Sequence, residues 1–111
     1  MDINIWMQEF KQYWLSYDIE GVISMFDENV EYWESSFERI ENKQQLQEEW
    51  KYITTQRNIE LSYEVFSQDQ NKFTIIWTLK YNDKEVRGTY LLKLNSENKC
   101  IYFYQICEEK K

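Results

Sequence analysis

The sequence contains no histidine and no proline, and it has only two glycines and two cysteines. Without histidine it has no Ser-His-Asp or Cys-His arrangement, no histidine zinc motif, and no side chain whose ordinary pKa lies near neutral. Without proline, and with glycine only at Gly21 and Gly88, no linker, repeat or low-complexity segment divides the chain. We therefore predict a single domain over residues 1–111.

The two cysteines, Cys100 and Cys107, fall on one predicted strand. Seven residues of strand separate two Cα atoms by about 23 Å, whereas a disulfide needs them within about 7 Å. We therefore expect both thiols to be reduced, as is usual in the cytosol. Their odd spacing also predicts that they lie on opposite faces of the sheet. There is no CxxC pair and no convincing carboxylate cluster, so we expect no metal and no cofactor.

Positive charge is scarce, since 13 Lys and Arg residues against 20 Asp and Glu residues give a net charge of −7. Nucleic-acid binding relies on clustered Lys and Arg, and here these residues are scattered, so we expect no nucleic-acid partner. No apolar run approaches the ~18 residues that a membrane span needs. The start, Met1-Asp2-Ile3-Asn4, lacks the basic and apolar regions of a signal peptide. We predict a cytoplasmic location and no membrane partner.

Aromatic residues are abundant, with five Trp, nine Tyr and six Phe. They bury large areas, but each Trp and Tyr carries a polar atom that needs a hydrogen-bond partner. This composition suits a lined cavity as well as a solid aromatic core, and the composition leaves both alternatives open.

Two helices and a strand are predicted in the first third of the chain. Apolar residues recur at three- and four-residue spacing from residue 3 to residue 17, which predicts a long helix with one aromatic face. Asp18 is the predicted N-cap of a second, short helix whose buried stripe ends at Phe26. Residues 30–34 follow as a short strand.

A third helix and four strands are predicted after that. Asn42 and Gln45 form a capping pair for the helix, and its predicted buried stripe is Leu46, Trp50 and Ile53. From Ile59 the apolar period changes to two, which predicts strands at 59–66, 73–81, 86–94 and 100–107. Short polar turns join them, so we predict an antiparallel meander.

Both faces of this meander carry apolar side chains. The face that helices can cover holds Ile75, Trp77, Leu79, Tyr90, Leu92, Ile101 and Phe103. The outer face holds Phe66, Ile76, Leu91, Tyr102, Tyr104 and Ile106. The outer face is too apolar to meet water alone, so we predict a homodimer packed through it.

The order of these elements resembles the nuclear transport factor 2-like superfamily, and in detail its SnoaL-like bacterial members. The matching pieces, from about Trp6 to Cys107, are Trp14 with the run from Asp18 to Phe26, Tyr32-Trp33-Glu34-Ser35-Ser36-Phe37, Leu46 with Trp50, Thr55-Gln56-Arg57-Asn58-Ile59, Trp77, Gly88-Thr89-Tyr90 with Leu92, and Lys99-Cys100. The resemblance implies an α+β, cystatin-like fold: a cone-shaped, curved antiparallel sheet wrapped around the long N-terminal helix, with two further helices. Members include steroid isomerases, dehydratases, polyketide cyclases and epoxide hydrolases, and also transport factors and domains without catalysis. It therefore implies a pocket rather than one reaction.

The resemblance also implies roles for two residues. Glu34 falls where the ketosteroid isomerases have their base, and Tyr90 falls where they hold a protonated Asp as oxyanion donor. The tyrosine of those enzymes falls at Phe10, which has no hydroxyl, and Tyr13 lies about 60° away at ~100° per residue. We therefore do not expect a steroid isomerase, and whether the protein is an enzyme stays open.

Glu34 has two interpretations. Alternation along the strand puts Val30, Tyr32 and Glu34 on one side. If Val30 faces the core, Glu34 points into the cone, where burial would raise its pKa and suit it to act as a base. The alternative is a structural carboxylate that is satisfied by tyrosine hydroxyls or paired with Arg39 or Arg87.

The predicted site combines Glu34 as base with Tyr90 as hydrogen-bond donor, the alternative for Tyr90 being an ordinary core tyrosine. The other predicted ligand-binding residues are Tyr13, Tyr32, Trp50, Ile75, Trp77, Leu92, Phe103 and Gln105. Such a site would bind a small, largely apolar molecule, and cofactor-free lyase or isomerase chemistry would fit it. The alternative function is a non-catalytic dimerisation or partner-binding module whose cone is plugged by its own aromatic rings.

Overall fold

A long N-terminal helix lies against a six-stranded sheet in the computed structural model of the protein, which describes residues 2–111. Helix α1 (Ile3–Leu15) begins at Asp2, whose carboxylate accepts a hydrogen bond from the Asn4 backbone N–H at 2.9 Å. Its buried face consists of Ile3, Trp6, Met7, Phe10 and Trp14. The helix ends two residues before the predicted end, because Tyr17 adopts a left-handed backbone conformation.

Helix α2 (Ile19–Ser24) begins at the predicted cap, since Asp18 accepts a hydrogen bond from the Gly21 backbone N–H at 2.9 Å. The stripe predicted for this helix ran to Phe26, but Phe26 already belongs to strand β1 (Phe26–Ser35), which is longer than predicted. A short strand, β2 (Glu38–Ile40), was not predicted and pairs antiparallel with β1.

Helix α3 (Lys43–Trp50) has the predicted capping pair. The Asn42 side chain accepts from the Gln45 backbone N–H at 2.8 Å, and the Gln45 side chain accepts from the Glu41 backbone N–H at 2.8 Å. The helix then tightens into a 3₁₀ turn, Lys51–Thr55, which places Ile53 in the core. The three predicted helices are therefore present, with this turn added.

Four long strands follow: β3 (Glu60–Asp69), β4 (Lys72–Tyr81), β5 (Lys84–Leu94) and β6 (Cys100–Glu109). They form the predicted antiparallel meander, within a sheet of order β2-β1-β6-β5-β4-β3. The predicted fully antiparallel sheet is wrong in one respect, because β1 lies parallel to β6. The chain crosses through α3 to the far edge at β3 and returns strand by strand, so β6 arrives running in the direction of β1. The fold is α+β, with a mixed, curved sheet around α1.

A bulge in β6 overturns the prediction for the cysteines. The pairing register shifts between Lys93–Tyr102 and Leu94–Cys100, which leaves Ile101 as an extra residue. This residue inverts the alternation, so Cys100 is fully buried on the same face as Phe103. Both thiols are free, but they do not lie on opposite faces.

Within residues 2–111, no helix is both long enough and apolar enough to cross a membrane.

Candidate functional site

Aromatic side chains fill the deep part of the cone between the sheet and α1. Phe103 stacks on Tyr32 with 4.8 Å between ring centroids and lies 4.6 Å from Tyr90, while Trp14 meets Trp50 edge-on at 5.0 Å. The Trp50 indole N–H donates to the Tyr32 hydroxyl at 3.1 Å. All five side chains are at most 2% exposed, so they form a packed core. Of the five, Trp14 also lines the cavity at the mouth of the cone.

Three further residues that were predicted to bind the ligand are Ile75, Leu92 and Tyr13. Ile75 and Leu92 lie on the predicted inner face, but they are buried in this core. Tyr13 is partly buried and packs over Gly21 of α2, where its ring occupies the space that a Cβ would need.

A cavity of about 410 Å³ opens at the mouth of the cone, beyond the aromatic core. Its apolar wall consists of Trp14, Tyr52, Trp77, Leu79, Tyr81 and Val86. Glu34, near the end of β1, and Gln105, in β6, contribute polar groups to the same cavity. The structure thus brings together three predicted site residues, Glu34, Trp77 and Gln105, while Tyr90 lies in the core at 1% exposure.

Glu34 is the partly buried carboxylate of this cavity. Burial raises its pKa to about 7, and the negative charge of Glu49 acts in the same direction. Hydrogen bonding to Tyr32 and Gln105 partly offsets this rise, and the Gln105 side-chain N–H donates to Glu34 Oε1 at 3.4 Å. The carboxyl group is therefore poised to exchange a proton near neutral pH.

Neither of the arginines considered as partners pairs with Glu34. The Arg39 guanidinium lies over the Trp33 ring, 6.0 Å from its centroid, on the outer side of β1. Arg87 forms an ion pair with Glu85 at 2.9 Å. With both cations engaged elsewhere, burial dominates the pKa of Glu34, which agrees with the interpretation of an inward-facing carboxylate.

Trp77 covers the floor of the cavity because its cross-strand neighbour is Gly88. A Cβ at Gly88 would lie 2.5 Å from Trp77 Cζ2 and 2.5 Å from the backbone oxygen of Ile106. Glycine thus lets the indole approach the backbone of β5 closely. The Trp77 indole N–H is buried and has no hydrogen-bond partner among residues 2–111.

Gln56 is a site residue that sequence reasoning missed. It is 1% exposed, and its Oε1 accepts the Trp14 indole N–H at 2.7 Å. Its Nε2 has no partner within the described part of the chain. A glutamine between a helical turn and a strand carries no pattern that marks it as buried, although the resemblance had included it in the stretch 55–59.

Tyr52 was missed as well, because it lies outside the apolar stripe predicted for α3. The 3₁₀ turn brings it to the cavity, and burial together with the charge of Glu34 raises the pKa of its hydroxyl. Although 41% of the residue is exposed, the phenol stays protonated at neutral pH and is available as a hydrogen-bond donor.

No protein-family model matches the sequence, and no curated protein matches it significantly. Several solved structures share its shape. An NTF2-like protein of unknown function from Exiguobacterium sp. superposes with a TM-score of 0.70 at 17% identity, covering 90% of this chain and 94% of that one. The chain has the nuclear transport factor 2-like fold.

Two further structures with this fold are similar to the chain. Delta 5-3-ketosteroid isomerase from Mycobacterium sp. has a TM-score of 0.75 at 14% identity, covering 94% of this chain and 95% of that one. RV0760c from Mycobacterium tuberculosis, in complex with estradiol-17beta-hemisuccinate, has a TM-score of 0.74 at 17% identity, with 91% and 89% covered. The predicted nuclear transport factor 2-like fold is thus confirmed, and the SnoaL-like subgroup stays a prediction.

Proposed function

We propose that this protein binds a small, largely apolar molecule in the mouth cavity and that Glu34 accepts or relays a proton there. One observation carries the proposal: a partly buried carboxylate with a pKa of about 7 faces an aromatic-walled cavity of about 410 Å³. Ligand pockets commonly have this volume and this kind of lining. The isomerase and the estradiol-derivative complex, which share the fold, support its use for small apolar ligands.

The chemistry that fits this arrangement is proton abstraction beside a carbonyl group. Ionised Glu34 takes a proton from the α-carbon, the C–H electron pair forms a carbon–carbon double bond, and the π pair of the carbonyl moves to its oxygen, which gives an enolate. A neutral phenol then donates a hydrogen bond to that oxygen. Tyr90 is the donor that the resemblance implied, whereas Tyr52 is the phenol that lines the cavity; burial raises the pKa of both. Return of the proton to another carbon completes an isomerisation, and loss of a β-substituent completes a lyase reaction.

Native mass spectrometry of freshly purified protein tests for binding, since a co-purifying small molecule would identify the ligand class. Proton exchange tests the mechanism. We expect the protein to accelerate α-proton exchange of phenylalkyl ketones in D₂O, followed by NMR, and Glu34→Gln to slow it by about 10²-fold or more. Glu97→Gln, an exposed carboxylate in the β5–β6 turn, is the matched control. Equal exchange rates for the wild-type protein and Glu34→Gln would remove Glu34 as the base.

A second candidate function is a non-catalytic dimerisation or partner-binding module, because the deep cone is filled by its own aromatic rings. The outer sheet face also carries large exposed apolar side chains, which are Ile76, Leu91 and Ile106, and Phe66 is exposed at a bulge in β3. We propose that two copies pack through this face, as the apolar pattern of the strands had indicated.

A further inference from the structure

The mouth cavity is strongly acidic. Four carboxylates line it, those of Glu34, Glu49, Glu108 and Glu109, and its lining includes no Lys or Arg. None of the four forms an ion pair with another residue of the described chain, 2–111. Lys110 and Lys111 follow Glu109 in the sequence but line other depressions of the surface. Glu108 and Glu109 also line a neighbouring depression, which includes Arg87, Lys110 and Lys111. The negative charge that has no cation in a shared lining is therefore that of Glu49 and, when it is ionised, of Glu34.

Other depressions of the surface differ from the mouth cavity in this respect. One has Lys11 and Arg87 in its lining, and another has Lys72 and Lys93. Because the protein carries 13 Lys and Arg residues, their absence from the lining of the mouth cavity sets it apart from these depressions.

The wall of the cavity adds a second feature that favours positive charge. Trp14, Trp77, Tyr52 and Tyr81 all line it. Aromatic faces attract ammonium groups through their quadrupole, most strongly when the cation is withdrawn from water. An aromatic wall that shares a cavity with carboxylates thus suits a cation that also has an apolar body.

Two buried N–H groups supply the third feature, which is independent of charge. Gln56 Nε2 and Trp77 Nε1 belong to side chains that line the cavity and are 1% and 3% exposed, and neither has a partner among residues 2–111. A buried donor without an acceptor costs free energy. Neither nitrogen is itself accessible to solvent, so an oxygen on a bound molecule would satisfy one of these donors only when the side chain turns towards the cavity.

We infer that the ligand of the mouth cavity is an organic cation with an apolar body and an oxygen acceptor, of the amino alcohol or amino ketone class. The acidic lining and the aromatic wall select the cation, and the donors of Gln56 and Trp77 select the oxygen. The inference rests on the proposed function, because it specifies the molecule that the cavity binds. The cavity suits an organic cation rather than a metal ion, since within residues 2–111 no three carboxylates converge closely enough to hold a metal.

Three probes of nearly the same shape test the inference. They are the cation benzyldimethyl(2-hydroxyethyl)ammonium, its neutral carbon isostere 3,3-dimethyl-4-phenylbutan-1-ol, and the anion 3,3-dimethyl-4-phenylbutanoate. Titration calorimetry at pH 8 and low salt should show the cation binding about ten-fold or more tightly than the neutral isostere. The anion should bind more weakly than the isostere, and added salt should narrow the difference between cation and isostere.

Glutamine variants localise the effect to the cavity. Glu49→Gln and Glu108→Gln should each lower the affinity for the cation several-fold and leave that for the neutral isostere unchanged. Glu97→Gln removes an exposed carboxylate in the β5–β6 turn, at the other end of these strands, and should change neither affinity.

Two results would overturn the inference, and they are distinguishable. If the neutral isostere binds as tightly as the cation, and both compete for the same site, the choice of a cation is wrong while the proposed binding function stands. If none of the three probes binds at millimolar concentration, both the choice of ligand and the use of this cavity for binding are wrong.

Discussion

At the scale of single residues, the site depends on the environment of Glu34. The carboxyl group is partly removed from water at one end of β1, and the charge that affects its pKa most, that of Glu49, is also negative. Both effects disfavour the ionised form. The proposed base is therefore a carboxyl group whose ionisation opposes folding.

Because ionisation of Glu34 opposes folding, we expect the free energy of unfolding to depend on pH. The pKa of Glu34 is about 7 in the folded state against 4.5 ordinarily, so the folded chain binds the proton more tightly between these pH values. The stability that protonated Glu34 contributes is complete below pH 4.5 and is lost as the pH rises through 7. Relative to Glu34→Gln, the wild-type protein should lose up to about 3 kcal/mol over this window. Urea denaturation at pH 4.5, 6 and 8 measures it.

The control for this prediction is Glu97→Gln, at an exposed position. The difference in the free energy of unfolding between this variant and the wild-type protein should stay nearly constant over the same pH range. A constant difference for Glu34→Gln as well would contradict the raised pKa.

The direction of Glu34 was predictable because strand alternation is local: Val30 and Tyr32 point inward, and Glu34 follows two residues later. The depth of each residue along the cone was not predictable from the sequence. Ile75, Leu92 and Phe103 lie on the predicted face but below the cavity, since alternation separates two faces and says nothing of the position between mouth and base.

At the scale of elements, capping residues and apolar periodicity predicted the features that depend on local sequence. The capping residues Asp18 and Asn42 begin their helices as expected, and period-two alternation marked the four strands of the meander. The short strand β2, the parallel β1–β6 pair and the bulge at Ile101 were not predicted, because each depends on a partner distant in the sequence.

The two glycines give an element-scale prediction. Gly88→Ala places a Cβ against the backbone of the neighbouring strand and the Trp77 indole, so it should lower the free energy of unfolding by about 2 kcal/mol or more. In Gly21→Ala the three heavy atoms nearest to the new Cβ all belong to the Tyr13 ring, which is partly buried and can shift. Since alanine also favours helix, we expect Gly21→Ala to stay within about 1 kcal/mol of the wild-type protein. Thermal and urea unfolding compare the two, and equal destabilisation would refute the backbone clash.

At the scale of the whole molecule, the exposed outer face is the main unexplained surface. Ile106 is 54% exposed, and on the same side of the sheet Ile76 and Leu91 are also exposed. Adjacent strands bring Ile76 and Ile106 to either side of Thr89, so the apolar groups form one patch. Contiguous exposed apolar patches are typical of interaction surfaces, which is why we propose this face as the contact between two copies.

The proposed homodimer predicts an outcome in sedimentation. The wild-type protein should sediment as a dimer at micromolar concentration, and Ile106→Glu should sediment as a monomer, because it places a charge in the apolar interface. Ile5→Glu is the control, since Ile5 is similarly exposed, at 59%, but lies on α1; it should remain dimeric. A monomeric wild-type protein would contradict the proposal.

The parallel pairing of β1 with β6 has a consequence for the order of folding. Phe26 pairs with Cys100, so the chain between these residues forms a long loop. The entropy cost of closing this loop is offset only when the last strand, β6, docks against β1. The meander can form earlier from its tight turns, but the cavity cannot, because it draws Glu34 from β1 and Gln105 from β6. A molecule that occupies the cavity therefore binds only after the two ends of this loop have met, and it holds them together by mass action.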